Sequence, residues 1–292
     1  EFLGDASLRR LVRLALDNSR DLRVAMLRVE QARAQLQLQQ AARVPQVDLS
    51  VAGSNSKNNS ASTDDANRNR GVSYNRSAGL SASWELDFFG RLNALDDVAR
   101  EQYLATSHAR QAAQIALVAQ VSEQYLSMLA FGEQLAVSND TEAAARESYR
   151  IAKLRYDTGT GSELDATLAQ GVVQQAQANQ AALIRQQAQA KNALVLLLGQ
   201  QLPADLAAPV PLRELALMAD IPAGLPSDLL LRRPDVQQAE ALLRAENARI
   251  GVARAAFFPR IALTATAGTA SPSLGNLFNA GSGAWSFAPQ LL

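Results

Sequence analysis

The spacing of apolar residues changes period along the chain, and each change marks an element. Residues 6–17 and 19–43 carry apolar positions at helical spacing, and the second run stops at Val44-Pro45. Proline cannot donate the helical hydrogen bond and biases the preceding residue towards extended backbone, so a helix ends there. From Gln46 the period falls to two. Val47, Leu49 and Val51 alternate with Gln46, Asp48 and Ser50, which predicts a strand over 46–54. Residues 55–72 are a polar run read as a loop. A second strand is predicted over 74–87, with Ala78, Leu80, Ala82, Trp84 and Leu86 on one face and Gly79, Ser81, Ser83, Glu85 and Asp87 on the other.

From Arg91 to Asp157 only Gly132 interrupts the helical pattern, and a helix tolerates it at a cost of about 1 kcal/mol. Such a helix is roughly 100 Å long at its rise per residue. Val118, Val121, Tyr125, Met128 and Leu135 follow alternating steps of three and four, with Gly132 in the missing place, which predicts a coiled-coil seam. Gly159 and Gly161 predict a turn that uses positive φ after a helix end. Ser162 and Asp165 form a capping-box-like pair for a return helix running to Leu198. A proline-rich linker over 200–226 follows, then a helix over 234–256, a strand over 260–268, a Gly/Ser/Pro loop and the start of a fourth strand at Trp285.

The chain repeats itself. Pro45 and Pro259 stand 214 positions apart, and at that offset Asp21 meets Asp235, Ala25 meets Ala239 and Leu36 meets Ile250. Ala41-Ala42-Arg43-Val44-Pro45 meets Ala255-Ala256-Phe257-Phe258-Pro259, and Val47, Leu49 and Val51 meet Ile261, Leu263 and Ala265. Two Ala-rich helices can match by chance. A shared proline followed by the same switch of period is the mark of a duplicated helix–corner–strand unit.

Composition narrows the function. The chain is 48% hydrophobic but only 5% aromatic, with Ala, Leu, Gln, Glu and Arg filling long stretches, which suits long helices with thin contact stripes. Formal net charge is zero, against the basic balance of a nucleic-acid binder. There is no cysteine, so disulfides and thiolate sites are excluded. No apolar run is long enough for a transmembrane helix. The chain starts at Glu1 and stops at Leu291-Leu292 inside an apolar stretch, and both ends read as truncations.

The alternating strands fit a barrel between lipid and water, and equally an antiparallel sheet with one buried face. Trp84, Trp285 and Phe287 fit an interfacial aromatic belt or a sheet core. Four strands cannot close a barrel, and lipid tolerates no open sheet edge. If these strands span a membrane, several chains must pool them.

Several segments resemble the TolC family of outer-membrane efflux proteins, in its OprM-like branch serving resistance–nodulation–division pumps. Trp84-Glu85-Leu86-Asp87-Phe88-Phe89-Gly90-Arg91 is similar to that family's strand-to-helix junction, and Glu101-Gln102-Tyr103-Leu104-Ala105-Thr106 to the start of its long helix. Asn192-Ala193-Leu194-Val195-Leu196-Leu197-Leu198-Gly199 resembles the end of its return helix. Gly224-Leu225-Pro226-Ser227-Asp228-Leu229-Leu230 and Arg232-Arg233-Pro234-Asp235 resemble the start of its second repeat, and Ala255-Ala256-Phe257-Phe258-Pro259 its proline corner. The resemblance implies a mixed α/β membrane protein: a homotrimer with long antiparallel helical hairpins forming a periplasmic α-barrel, strands forming an outer-membrane β-barrel, and two structural repeats per chain. The implied function is a passive exit duct of a tripartite multidrug efflux pump in a Gram-negative outer membrane. Its partners would be outer-membrane lipid, a periplasmic adaptor and an inner-membrane resistance–nodulation–division transporter. Many members of the branch carry a lipid on an N-terminal Cys. Alternatives are a type I protein-secretion duct of the same family, or a soluble coiled-coil adaptor.

On this reading residues 1–45 are the N-terminal helices of the first repeat and 46–88 its barrel hairpin. Residues 89–199 are the tunnel hairpin, 200–233 an equatorial linker, 234–258 the first helix of the second repeat and 259–292 a second, truncated hairpin. Pro45 and Pro259 form the helix–strand corners. Arg155, Tyr156, Gly159, Gly161 and Asp165 resemble the periplasmic tip that meets the adaptor and helps close the tunnel, though a plain helix cap also explains Asp165. The tip is expected at the far end of the long helix from the strands. Asp48, Ser50, Ser81, Ser83 and Glu85 would line the lumen, or be ordinary solvated strand residues, as would Asp87. His108 has no matching ligand pattern and reads as a surface residue. Gly159-Thr160-Gly161 lacks the third glycine of a dinucleotide fingerprint, and Asp64-Asp65 lacks calcium-loop spacing. No catalytic set can be assembled and no cofactor is expected.

Overall fold

The computed structural model describes residues 5–57, 72–204, 210–214 and 227–292. In chain order these form α1 (Ala6–Asn18), α2 (Arg20–Ala41), β1 (Gln46–Lys57), β2 (Val72–Leu86), α3 (Arg91–Asp157), α4 (Glu163–Leu198), α5 (Asp228–Leu231), α6 (Pro234–Ala255), β3 (Ile261–Ser271) and β4 (Gly283–Leu291). Most of the expected 55–72 loop, including Asp64-Asp65, most of the 200–226 linker, and Gly224-Leu225-Pro226 lie outside the described residues.

The chain divides into two units. The first comprises Glu1–Arg28 and His108–Val236. Its core joins Leu8, Leu11 and Ala15 of α1 to Leu117, Val121, Tyr125 and Leu129 of α3 and Leu194 and Leu198 of α4. The buried stripe on α3 therefore advances in steps of four. Val118, Met128 and Leu135, which the heptad pattern put in the seam, are half-buried, and Leu117 and Leu129 take the central places. Alpha-helical rows i±4n are as good a ridge as the heptad seam, and in an Ala/Val-rich helix the two differ by little in sequence. α4 runs antiparallel to α3. Gln180 Nε2 donates to Asn139 Oδ1 at 2.6 Å, Gln177 Nε2 to Glu142 Oε1 at 3.2 Å, and Ala145 packs with Val173 and Ala176. A Cβ on Gly132 would stand 3.1 Å from Gln187 Nε2, so the glycine lets α4 approach closely. α4 ends at Gly199 with φ +68, where any Cβ would lie 2.5 Å from the carbonyl of Asn18.

The second unit comprises Val29–Ser107 and Gln237–Leu292. It holds one antiparallel sheet in the order β1-β2-β3-β4. The two halves of the repeat fold alike. Ala41 and Ala255 each end a helix, a tightened turn follows, and Pro45 and Pro259 stand outside any helix just before a strand. Val44 N donates to Ala41 O and Phe258 N to Ala255 O, the i→i−3 bonds with which a helix winds down. α2 thus stops two residues earlier than the periodicity predicts. The two corners are tied to the sheet: Trp84 Nε1 donates to Arg43 O at 3.0 Å, and Phe258 stacks on Phe89 with ring centroids 4.7 Å apart. β1 and β3 run on to Lys57 and Ser271, β2 starts at Val72, and β4 starts at Gly283. All four exceed their apolar pattern because backbone pairing, which is indifferent to side chains, carries the ladder onward. Beside the sheet α6 buries only small residues, Ala241, Ala245 and Ala255, and Gly251 meets Ala94 of α3.

Candidate functional site

The sheet register sorts its side chains into two faces. Direct partners share a face, so Val47↔Ala82↔Ala265↔Phe287 and Leu49↔Leu80↔Ala267↔Trp285 form continuous apolar rows. Rows through Leu86, Ile261 and Leu291, through Trp84, Leu263 and Pro289, and through Val51, Ala78 and Thr269 complete the band. This face is bare: Leu49 is 76% exposed, Val51 77% and Trp285 80%. A water-soluble antiparallel sheet buries its apolar face against another layer, and contiguous apolar surface of this kind marks a membrane or a partner. The band spans about 27 Å of strand at 3.4 Å per residue, or about 20 Å in height at the roughly 40° tilt of barrel strands. Trp84 lies near one margin. Trp285 lies one row inside the opposite margin, because its partner Ala267 is paired to Leu80, and Phe287, in the row of Ala265 and Ala82, sits in mid-band.

The opposite face is polar and smooth. Asp48↔Ser81↔Thr266↔Ser286 make one row and Ser50↔Gly79↔Gly268↔Ala284 the next, and Ser83 pairs with Gln46 and Thr264. Gly79 and Gly268 are obligatory: a Cβ on Gly268 would lie 2.5 Å from Gly79 Cα. Glu85 belongs to this face, but its charge is taken by Arg91, whose Nε and Nη2 donate to it at 2.8 and 2.6 Å. Asp48 makes no ion pair among the described residues. Asp87 is not a strand-face residue. It lies past the end of β2 and accepts from Leu92 N at 3.0 Å and Asn93 N at 2.8 Å. The residue at the start of α3 is Gly90, which has no side chain to cap with, so a carboxylate three residues upstream satisfies the first-turn donors.

The turn between α3 and α4 is a Schellman cap. Gly159 has φ +75, its N–H reaches Tyr156 O at 2.9 Å, and Thr160 N reaches Arg155 O at 2.9 Å. The hydroxyls of Thr158 and Thr160 also donate to Arg155 O, both at 3.1 Å. Gly161 is not at positive φ as the glycine pattern suggests. It is glycine because a Cβ there would lie 2.9 Å from Arg155 Cβ. Ser162 caps α4 by accepting from Leu164 N at 3.0 Å. The reciprocal half of the capping box is missing: Asp165 is exposed and bonds to no described residue. A capping box uses Glu or Gln at that place, and Asp is one methylene shorter. Tyr156 is exposed on the same turn. His108 is half-buried, not superficial, with Nδ1 3.5 Å from Gln111 Oε1.

Residues beyond the apolar band form a cluster that the sequence reading did not single out. Arg76 and Tyr74 share the band's face, with Arg76 Cζ 5.9 Å from the centre of the Tyr74 ring. The signal was the strand alternation itself, which continues past Ala78 to Arg76 and Tyr74.

A sheet bare on its apolar side and smooth on its polar side, joined to a long helical hairpin, fits an outer-membrane protein, and comparison with known proteins agrees. The structure resembles a membrane protein from Pseudomonas aeruginosa at 44% identity and a TM-score of 0.85, covering all of this chain and 67% of that one. It also resembles the open state of the MtrE outer membrane channel of Neisseria gonorrhoeae at 33% identity and a TM-score of 0.83, covering 99% of this chain and 64% of that one. The outer membrane efflux protein family matches residues 11–200 and 225–292, and the chain belongs to that family. Among curated relatives, the solvent efflux pump outer membrane protein SrpC of Pseudomonas putida is 45% identical over all of this chain and 61% of its own length. The chain thus spans about three fifths of the length of the relatives it matches.

Proposed function

We propose that this chain is the barrel-strand and tunnel-hairpin portion of a passive exit duct, conducting small molecules across the outer membrane of a Gram-negative bacterium. The observation that carries the reading is the bare apolar face of a four-stranded sheet whose other face is small and polar. That pairing suits lipid on one side and water on the other. A soluble scaffold would leave the same surface in water. The sheet has two open edges, β1 and β4, which lipid does not tolerate. Three chains pooling their strands would close a twelve-stranded barrel, and their helical hairpins would ring a periplasmic tunnel. Residues 46–88 and 259–292 would then be barrel hairpins, 89–199 the tunnel hairpin and 200–233 the belt between. Asp48, Ser50, Ser81, Ser83 and Glu85 would line the bore.

The duct would work with an inner-membrane resistance–nodulation–division transporter and a periplasmic adaptor. The adaptor would dock at the turn holding Arg155, Tyr156, Gly159, Gly161 and Asp165. The free carboxylate of Asp165 and the exposed Tyr156 support a contact role there, since neither is used by the turn itself. The name of SrpC, a solvent efflux pump component, supports small apolar cargo. Mass measurement of the full-length protein in detergent tests the assembly. A trimer that forms conducting pores in planar bilayers is expected; a stable monomer in bilayers would remove the reading.

A further inference from the structure

We propose that Arg76, held beside Tyr74 just past the apolar band, binds the phosphate of a phosphorylated glycolipid headgroup in the leaflet at the β1–β2 hairpin end of the sheet. The site rests on the membrane-spanning reading above. It lies on the lipid side of the sheet, whereas the duct's own chemistry lies on the polar side.

The register fixes its level. The last apolar row ends at Val51, Ala78 and Thr269, and the next row on that face is Gly53↔Arg76↔Ser271. Asn55↔Tyr74 and Lys57↔Val72 follow. A cation one row outside the hydrocarbon stands where lipid headgroups carry their charge. Tyr74 beside it is half-exposed, an amphipathic ring of the kind enriched at that boundary.

The guanidinium is posed rather than loose. Its stem crosses Gly53, where a Cβ would come within 3.1 Å of Arg76 Cδ. Nη1 donates to Asn55 Oδ1 at 2.8 Å, to Asn75 O at 3.0 Å and to Ser54 O at 3.2 Å. These acceptors are neutral, so among the described residues the positive charge is not cancelled. No described carboxylate pairs with Arg76, and its Nε and Nη2 have no described partner. Those two nitrogens form the planar fork that takes two oxygens of a phosphate at once. An arginine that only marked the edge of the band would need no such pinning.

The length of the ladder selects the headgroup. Pairing continues beyond the band from Gly53 to Lys57, about 14 Å of strand or about 11 Å of height at the same roughly 40° tilt. The headgroup layer of an ordinary phospholipid leaflet is only about 5–8 Å deep. On the same face along that stretch the exposed Asn55 offers an amide group suited to sugars and Lys57 adds a second cation further out, whereas Ser54, Ser56, Ser73 and Asn75 belong to the opposite face.

The test uses the full-length protein in nonionic detergent, with bound lipid counted by native mass spectrometry. The probes are diphosphorylated lipid A, the same glycolipid stripped of phosphate, a phosphatidylglycerol, and inorganic phosphate. Wild type should retain the phosphorylated glycolipid about tenfold better than the stripped form. Arg76→Gln should abolish that preference while keeping wild-type pore conductance, and Gly53→Ala, which displaces the arginine stem, should weaken it. Inorganic phosphate should not displace the lipid. Equal retention by wild type and Arg76→Gln, or a stronger hold on phosphatidylglycerol, would overturn the site and leave the duct standing. A wild type that forms no pore would overturn the duct and this site with it.

Discussion

The phenol of Tyr125 donates a 2.5 Å hydrogen bond to Asp5 Oδ2, joining residues 120 positions apart at the base of α1. Asp5 meanwhile caps α1, accepting from Ser7 N with its other oxygen. Both side chains are buried, so one carboxylate fastens α1 to α3 from both ends. Tyr125→Phe leaves that oxygen buried and unpaired and should lower stability by about 1.5–3 kcal/mol in denaturant unfolding. Burial, then the hydrogen bond to Asp5 and its charge, push the phenol well above its ordinary range. A proton held more tightly in the folded state stabilises the fold fully below the unfolded value, about pH 10, and that contribution fades as pH rises beyond it. Wild type should therefore lose stability above that pH, and Tyr125→Phe should show a flatter alkaline limb. Identical limbs would mean that the phenol does not carry the linkage.

The start of α3 depends on Asp87. Asp87→Ala frees two first-turn donors, at Leu92 and Asn93, and should cost about 1–2 kcal/mol. Hydrogen exchange at those two amides should quicken, while Asp87→Asn, which keeps one acceptor oxygen of the two, should fall between the alanine variant and wild type. Unchanged exchange in the alanine variant would mean that the first turn is held by other contacts.

Gly268 and Gly79 pinch β2 against β3. Gly268→Ala places a Cβ 2.4 Å from Ala78 O and must spread the strands, whereas a Cβ on Gly283 meets open space. The full-length Gly268→Ala protein should lose heat-stable assembly on semi-native gels, and Gly283→Ala should keep it. Equal behaviour of the two would contradict the register of β2 and β3.

At the turn, capping and contact separate onto two residues. Ser162→Ala should lower stability by about 1 kcal/mol without changing conductance. Asp165→Ala should barely alter stability, because the carboxylate caps nothing, yet raise conductance in planar bilayers by loosening a closed state. An Asp165→Ala channel with wild-type conductance and export would leave the residue no role in a gate.

The elements that were legible in the sequence are those that local chemistry decides. Pro45 and Pro259 end helices because proline lacks a donor, and Val47, Leu49 and Val51 share a face because a strand alternates. The repeat was visible because both rules recur in the same order. What covers the apolar face was not legible: alternation is the same for a buried sheet and a lipid-facing one, and only the bare surface of Leu49 and Trp285 separates them. Asp87 was misplaced because its function is set by Gly90, three residues later. Gly161 was given a torsional role when its constraint is steric, which no single-residue propensity records. The Tyr125–Asp5 bond is tertiary and leaves no local trace.

The central claim is that Val47, Leu49, Leu80 and Ala82 face lipid while Asp48, Ser50, Ser81 and Ser83 face a wet bore. Single cysteines at these positions in the full-length protein, in intact membranes, test it directly with a charged, membrane-impermeant thiol reagent. The account predicts rapid labelling of the second set, with a stepwise fall in conductance as each bore position is modified, and no labelling of the first. Labelling confined to the first set, or equal in both, would contradict it.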